Sequence, residues 1–150
     1  MILQLLIGGA LTVLCVVVSG LGLWAAEWLF TDHRAWLRSP PHAPKLLAVV
    51  VGVSLLVLVI ITAGVWIWAV ALLMLGVFAG MEEAIYFALV AYTTLGFGDV
   101  LPPHGWRILG AMAAANGFIN IGLLTTLLIE GLGHVRAGYR RSVLGEEARD

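Results

Sequence analysis

Long apolar runs alternate with short polar segments along this chain, and the lengths of the runs predict its elements. Residues 1–30 are apolar except for Gln4, Thr12, Ser19, Glu27 and the lone Cys15. A membrane-spanning helix needs about 20 such positions, so this run predicts a first span. A cleaved leader would carry basic residues ahead of the run and a small-residue cleavage site after it. Neither is present around Trp24-Ala25-Ala26, so the segment is expected to remain as a helix. Residues 46–79 follow without a charge, and as one helix these 34 positions would extend about 51 Å, against a hydrocarbon core of about 30 Å. The second helix is therefore expected to tilt, to bend near Gly64 or to leave its end at the interface. Trp66 and Trp68 are expected in an interfacial belt. Residues 106–129 predict a third span.

The polar segments differ from one another. Residues 31–45 hold Pro40, Pro41 and Pro44, which predict a loop without regular helix. Residues 80–103 read differently. Positions 81–93 predict a short helix with Glu82 and Glu83 in its first turn, where acidic side chains complement the helix dipole. At about 12 residues, or about 18 Å, it enters a bilayer halfway and must turn back. The return is Thr93-Thr94-Leu95-Gly96-Phe97-Gly98-Asp99-Val100, and Leu101-Pro102-Pro103 ends it. Extended backbone at membrane depth is tolerated where it lines a polar path, and a row of carbonyls along such a path replaces the hydration shell of a cation. Gly96 and Gly98 supply left-handed conformations at little steric cost. The Thr94 hydroxyl adds an oxygen at the inner end, and Asp99 adds acidity at the outer mouth.

Composition agrees with a membrane setting. The chain is 61% hydrophobic and 11% charged, with a mean hydropathy of +1.03, whereas soluble domains carry about 25% charged residues. A net charge of −1 gives no reason to expect nucleic acid. Cys15 cannot form an intrachain disulfide and is expected to behave as a small hydrophobe. Seven of the eight basic residues fall in segment 31–45 or in the tail after residue 130, and Arg107 is the exception. The positive-inside rule makes their shared side cytoplasmic. The N-terminus and the 80–107 connection are then expected outside and the C-terminus inside, in a multi-pass protein of the cell (inner) membrane. The predicted fold class is an all-α integral membrane protein with three transmembrane helices and a re-entrant helix and loop between the second and third.

Residues 81–130 resemble the pore domain of potassium channels, on the order of short helix, TTLGFGD filter and inner helix. The whole chain is similar to small bacterial ion channels with one extra N-terminal helix. The resemblance implies that carbonyls of Thr94, Leu95, Gly96 and Phe97, with the Thr94 hydroxyl, coordinate dehydrated K⁺, with Gly98 completing the filter. It implies that four chains assemble around one axis. It divides the chain into a peripheral helix and cytoplasmic loop (1–45), a pore domain (46–130) with pore helix 81–93, filter 94–99 and inner helix 106–130, and a short cytoplasmic tail (131–150). Support for the filter is expected from Thr93, Asp99, Tyr86, Phe87 and Val90. Leu95 and Phe97 stand where the family usually has Val or Ile and Tyr, and Val90 stands where some members place a Glu. Bracing is therefore expected from apolar packing around Phe87 and Ala91, and from a Tyr86 hydroxyl paired with Asp99.

By the same resemblance Gly117 is a gating hinge or a packing glycine, and Phe118, Ile121, Thr125 and Ile129 face the aqueous path. Phe118, Ile121 and Ile129 make a dewetting constriction or simple packing. Asn116 and Asn120 face the cavity or hydrogen-bond a neighbouring helix, the second being preferred. His104 at the mouth is a titrating group or a solvated loop residue, and Glu130 attracts cations at the exit or ends the helix. His33, His42 and His134 lack metal-ligand spacing, and no catalytic arrangement of polar residues is visible. No helix carries arginine at every third position, so a voltage sensor is not expected, and the tail is short for a ligand-binding domain. The expected function is a potassium-selective channel with no cofactor beyond K⁺ as the permeant ion, partnered by lipid and by three further copies of itself. The alternatives are a cation channel that does not discriminate K⁺ from Na⁺, and a non-conducting scaffold or accessory subunit.

Overall fold

The computed structural model describes residues 1–32 and 42–147. Four α-helices follow one another: α1 Ile2–Asp32, α2 His42–Met74, α3 Met81–Tyr92 and α4 Arg107–Glu147, with a 3₁₀ turn at His104–Trp106 before α4. Stretches of α1, α2 and α4 are long and apolar enough to cross a membrane: Ile2–Trp28, Leu47–Met74 and His104–Thr126. Each is apolar on nearly all sides, as a helix surrounded by lipid and protein must be. Leu3, Leu6, Val13, Val17, Leu21 and Trp24 of α1 and Leu55, Leu58 and Val59 of α2 are exposed on the surface of the chain.

The packing centre is the short helix. Ala84, Phe87, Ala88 and Ala91 of α3 recur at helical spacing, are buried, and meet Val65, Trp68, Ala69 and Leu72 of α2 and Leu109 and Ala113 of α4. Three alanines on that stripe let backbones approach closely, which is how helices associate in lipid. Two glycines mark how deep α3 reaches. A Cβ on Gly117 would overlap the Tyr92 carbonyl, and one on Gly64 would overlap the Tyr92 hydroxyl. Gly117 lies ten residues into α4 and Gly64 ten residues before the end of α2, so Tyr92 sits about 15 Å from those helix ends. That is half the thickness of a hydrocarbon core of about 30 Å. The chain then returns through residues 93–103 to the start of α4.

The first helix has a defined seat. The Gln4 amide donates to the Gly105 carbonyl at 2.5 Å and accepts from the Leu109 N–H at 3.2 Å. Lower down, Gly8 lies against Met112 and the Ser19 hydroxyl donates to Asn120 Oδ1. Both series advance in the same direction, so α1 and α4 run parallel. On its other side α1 meets α2 through Gly22 on Ile60 and through Ala26 with Val49 and Val53.

Several boundaries differ from the sequence reading. α1 runs to Asp32, and α2 begins at His42. Pro44 falls in the first turn of α2, where a missing N–H breaks no helical bond. Residues 33–41 of the expected loop lie outside the described residues. α2 stops at Met74 and not at residue 79, because Gly76 turns left-handed at φ 66°. α3 ends at Tyr92, with Thr93 as its C-cap. α4 does not stop near residue 130 but continues to Glu147, since it holds no proline to end it. Residues 148–150 and the side chain of Glu130 lie outside the description. Trp68, expected at the interface, is fully buried between helices, whereas Trp66 is half-exposed. Gly64 is a seat for Tyr92 within one continuous α2.

Candidate functional site

The site is built on the carboxyl end of α3. Thr93, the C-cap residue, keeps a helical backbone at φ −78° and ψ 0°. Its hydroxyl donates back to the Leu89 carbonyl at 2.7 Å. Thr94 then turns left-handed at φ 59°, Gly96 at φ 62° and Gly98 at φ 78°. Leu95 and Phe97, between them, keep negative φ. The sequence points to Gly96 and Gly98 for this role; Thr94 is the addition. It is the only non-glycine with positive φ among the described residues, and for a β-branched side chain that conformation is a genuine outlier.

The hydrogen bonds show what holds Thr94 there. Its N–H donates to the Ala91 carbonyl at 2.9 Å, and the Leu95 N–H donates to the Val90 carbonyl at 3.0 Å. These are the two bonds of a Schellman motif, which places its left-handed residue at the position Thr94 occupies. The Gly96 N–H reaches the same Val90 carbonyl at 3.3 Å. Val90 thus supports the loop through its backbone oxygen. In a strand of alternating hand, N–H groups gather on one side and carbonyls on the other. Here the N–H groups of Thr94, Leu95 and Gly96 are tied to α3. Among the described residues, the carbonyls of Thr94, Leu95, Gly96 and Phe97 and the Thr94 hydroxyl accept no hydrogen bond from the protein. That arrangement can take a cation, since a carbonyl row is a set of partial negative charges without a competing donor. The carboxyl end of α3 adds partial negative charge at the inner end of the row.

At the outer end the Tyr86 hydroxyl donates to Asp99 Oδ2 at 2.5 Å, and the Val100 N–H donates to Oδ1 at 3.0 Å. The Tyr86 hydrogen bond holds the Asp99 carboxyl below its usual pKa and, reciprocally, pushes the Tyr86 hydroxyl up. Asp99 therefore stays an anion at neutral pH, and its charge stands exposed at the mouth of the loop.

Apolar bracing is arranged differently from the expectation. Phe87 packs on Phe78 with ring centroids 5.2 Å apart, and its ring tip lies against Gly110 of α4. Phe97 is 66% and Leu95 57% exposed, so neither is packed within its own chain. Between the return loop, α3 and α4 is a cavity of about 420 Å³, walled by Phe87, Val90, Val100, Pro102, Gly110 and Ala114, with Arg107 also lining it.

On α4, Phe118, Thr125 and Ile129 are exposed and Ile121 is half-exposed, and these four share one face of the helix. The Thr125 hydroxyl donates to the Ile121 carbonyl at 2.8 Å. Asn120 is not on that face: it is fully buried on the opposite side and accepts from Ser19 of α1, the preferred of its two sequence readings. Gly117 is where the end of α3 lies against α4, a packing position. Sequence reasoning missed Gln4 and Ser19 as anchors of α1, although both are isolated polar residues in an apolar run, which is the signal that marks such groups.

The family model described as ion channel matches residues 54–133, more than half of the chain. The human potassium voltage-gated channel subfamily A member 7 is 32% identical over 72 residues, which cover 47% of this chain and 15% of that protein. The subfamily A member 2 channels of Oncorhynchus mykiss and Xenopus laevis are each 31% identical over 71 residues, covering 47% of this chain and 14% of theirs. The chain thus spans a small fraction of the length of these curated relatives. No solved structure matches it. The short helix, the return loop and α4 all lie inside the matched segment, and the chain belongs to the ion-channel family, with the pore domain of potassium channels.

Proposed function

We propose that this protein is a potassium-selective channel in which four copies surround one axis and pass dehydrated K⁺ along the carbonyls of Thr94, Leu95, Gly96 and Phe97. The observation that carries this reading is the alternation of hand at Thr94, Gly96 and Gly98, with the N–H groups tied back to α3. A single strand offers carbonyls from one side only, and a dehydrated ion needs them on all sides. Four strands supply the ring, with Gly98 and Asp99 at its outer end and Thr94 at its inner end. The exposed face of Phe118, Ile121, Thr125 and Ile129 lines the path below, and Phe118, Ile121 and Ile129 narrow it. α1 sits on the far side of α4 from that face, outside the ring. The basic residues of segment 31–45 and of the tail assign their side to the cytoplasm, so the N-terminus and Asp99 face outward in a bacterial inner membrane. No cofactor is needed.

A second reading rests on Phe97. Its ring lacks a hydroxyl and is 66% exposed in its own chain, so that ring is braced by other copies alone, and a looser filter passes Na⁺ as well. One assay separates the readings. Purified protein in liposomes is expected to take up K⁺ and Rb⁺ but not Na⁺, with block by Ba²⁺ and loss of uptake in Gly96→Ala. Comparable Na⁺ uptake favours the second reading. No uptake by an assembled tetramer means a scaffold or accessory subunit.

A further inference from the structure

We infer that Ser19 of α1, with Asn120 and Asn116 of α4, is a positioning latch that sets where α4 stands beneath the filter loop. This inference rests on the conducting role proposed above. All three side chains are buried, Ser19 at 1% exposure and the two asparagines at 0%. The Ser19 hydroxyl donates to Asn120 Oδ1, and Asn120 Nδ2 donates to the Asn116 carbonyl at 3.0 Å and to Asn116 Oδ1 at 2.6 Å. One helix is thereby tied to Asn120, which is itself braced on the preceding turn of its own helix.

The network is poorly suited to being simple glue. Asn116 Nδ2 has no oxygen partner and is left to the buried Cys15 thiol of α1, a weak acceptor, and a weakly satisfied buried network is worse for stability than apolar packing of the same shape. What such a group does well is fix register, because a polar pair at one level of an apolar interface can be met in one alignment only. Sliding α1 by one turn toward the end of α4 sets Ser19 beside Leu124, which offers no partner, and sliding it the other way brings Ser19 to Asn116 but strips Gln4 from Gly105 and Leu109. Gln4 on the helix start and Ser19 on Asn120 therefore hold the parallel pair at two levels.

The register matters because of the next residue. Gly117 follows Asn116 and carries no side chain, so the Tyr92 carbonyl rests directly on the α4 backbone. Tyr92 is the last residue of α3, and Thr93 and the strained Thr94 come straight after it. A shift of α4 at Asn116 reaches the inner end of the filter through this contact, without a flexible side chain to absorb it. Ser19 thus acts on the filter from a helix that touches none of it.

The test compares the full chain with Ser19→Ala and Ser19→Thr in planar bilayers under symmetric K⁺. Loss of one buried interhelical hydrogen bond is expected to shift the open–closed equilibrium about three- to tenfold. Unitary conductance and the K⁺/Na⁺ permeability ratio should stay put, and Ser19→Thr should restore the equilibrium. A merely structural role lowers the number of assembled channels and leaves the open probability of each one alone. Unchanged open probability in Ser19→Ala, or a fall in conductance that Ser19→Thr does not restore, overturns the inference. Hydrogen exchange gives an answer that does not require conduction. Faster exchange of amides 93–98 and 116–121 in Ser19→Ala, reversed in Ser19→Thr, supports the latch, and identical exchange overturns it. If the wild-type chain passes no ions, the conduction reading fails while exchange still judges the latch.

Discussion

Two helices of this chain stop by the same device and with different residues. At the end of α2 the Val77 N–H donates to the Leu72 carbonyl and the Gly76 N–H to the Leu73 carbonyl, both at 3.0 Å, around a left-handed Gly76. At the end of α3 the same pair of bonds closes around Thr94. Glycine is the usual occupant of that position because it has no Cβ to clash. Threonine there carries about 1–2 kcal/mol of backbone strain. A Cβ at Gly76 would meet nothing within 4 Å, so that end is an ordinary stop facing open space. The end of α3 is held instead by Gly117 and Gly64 pressed on Tyr92, and by a third N–H, that of Gly96, on the Val90 carbonyl. The difference teaches where the molecule tolerates strain: in a clamped helix end whose next residues present unpaired carbonyls.

The clamp is the place to break first. Gly117→Ala puts a methyl into the Tyr92 backbone, which neither helix can yield by rotating a side chain. Overpacking against backbone is expected to cost about 3 kcal/mol or more, seen as a large drop in the thermal midpoint and a loss of assembled protein. A midpoint near wild type would mean that α3 and α4 separate easily, and the comparison of the two ends would lose its basis. Thr94→Gly tests the strain itself. Removing the Cβ should relieve about 1–2 kcal/mol, part of which is offset by the greater freedom of glycine in the unfolded chain. A modest net rise in midpoint is expected, while K⁺ over Na⁺ uptake falls with the loss of the hydroxyl. A fall in midpoint would show that the Thr94 side chain is well packed in the assembly. Gly76→Ala is the counterpart at the other end, and adding a Cβ at positive φ should cost about 1 kcal/mol and leave ion uptake unaltered. Altered selectivity in that variant would mean that the α2 end is not a plain stop.

The smallest change is Tyr86→Phe, which removes one hydroxyl from the loop's outer end. The hydrogen bond to Asp99 depresses that carboxyl's pKa. What it contributes is present above the ordinary carboxylate pKa and is lost as pH falls through the lowered one. The variant's Asp99 should therefore titrate at higher pH than in wild type, as read by carboxyl chemical shifts or by the acid limb of ion uptake. A titration that does not move would show that the Val100 N–H alone sets it.

The three apolar runs and the short helix were legible because each follows from length and hydrophobicity, and the loop was legible because Gly96 and Gly98 stand among threonines and an aspartate. Helix ends were read less well. Pro44 looked like a loop residue, yet a first turn accepts it, and the tail's polar residues concealed a helix that nothing interrupts. Thr94's hand was invisible because residue preference argues against it, and only the bonds to Ala91 and Val90 impose it. Trp68 was misplaced because its surroundings depend on α1, and hydropathy says that a helix spans without saying which neighbour it touches.

The pairing of α1 with α4 joins the first helix to the last, with Ser19 and Asn120 101 positions apart. In chain synthesis α1 enters the bilayer with the Gln4 amide and the Ser19 hydroxyl lacking their final partners, since those lie in the segment made last. Assembly is therefore settled only when α4 arrives. A chain stalled before residue 120 leaves Ser19 without its interhelical partner, so the contact that seats the first helix is complete only once the last one has been made.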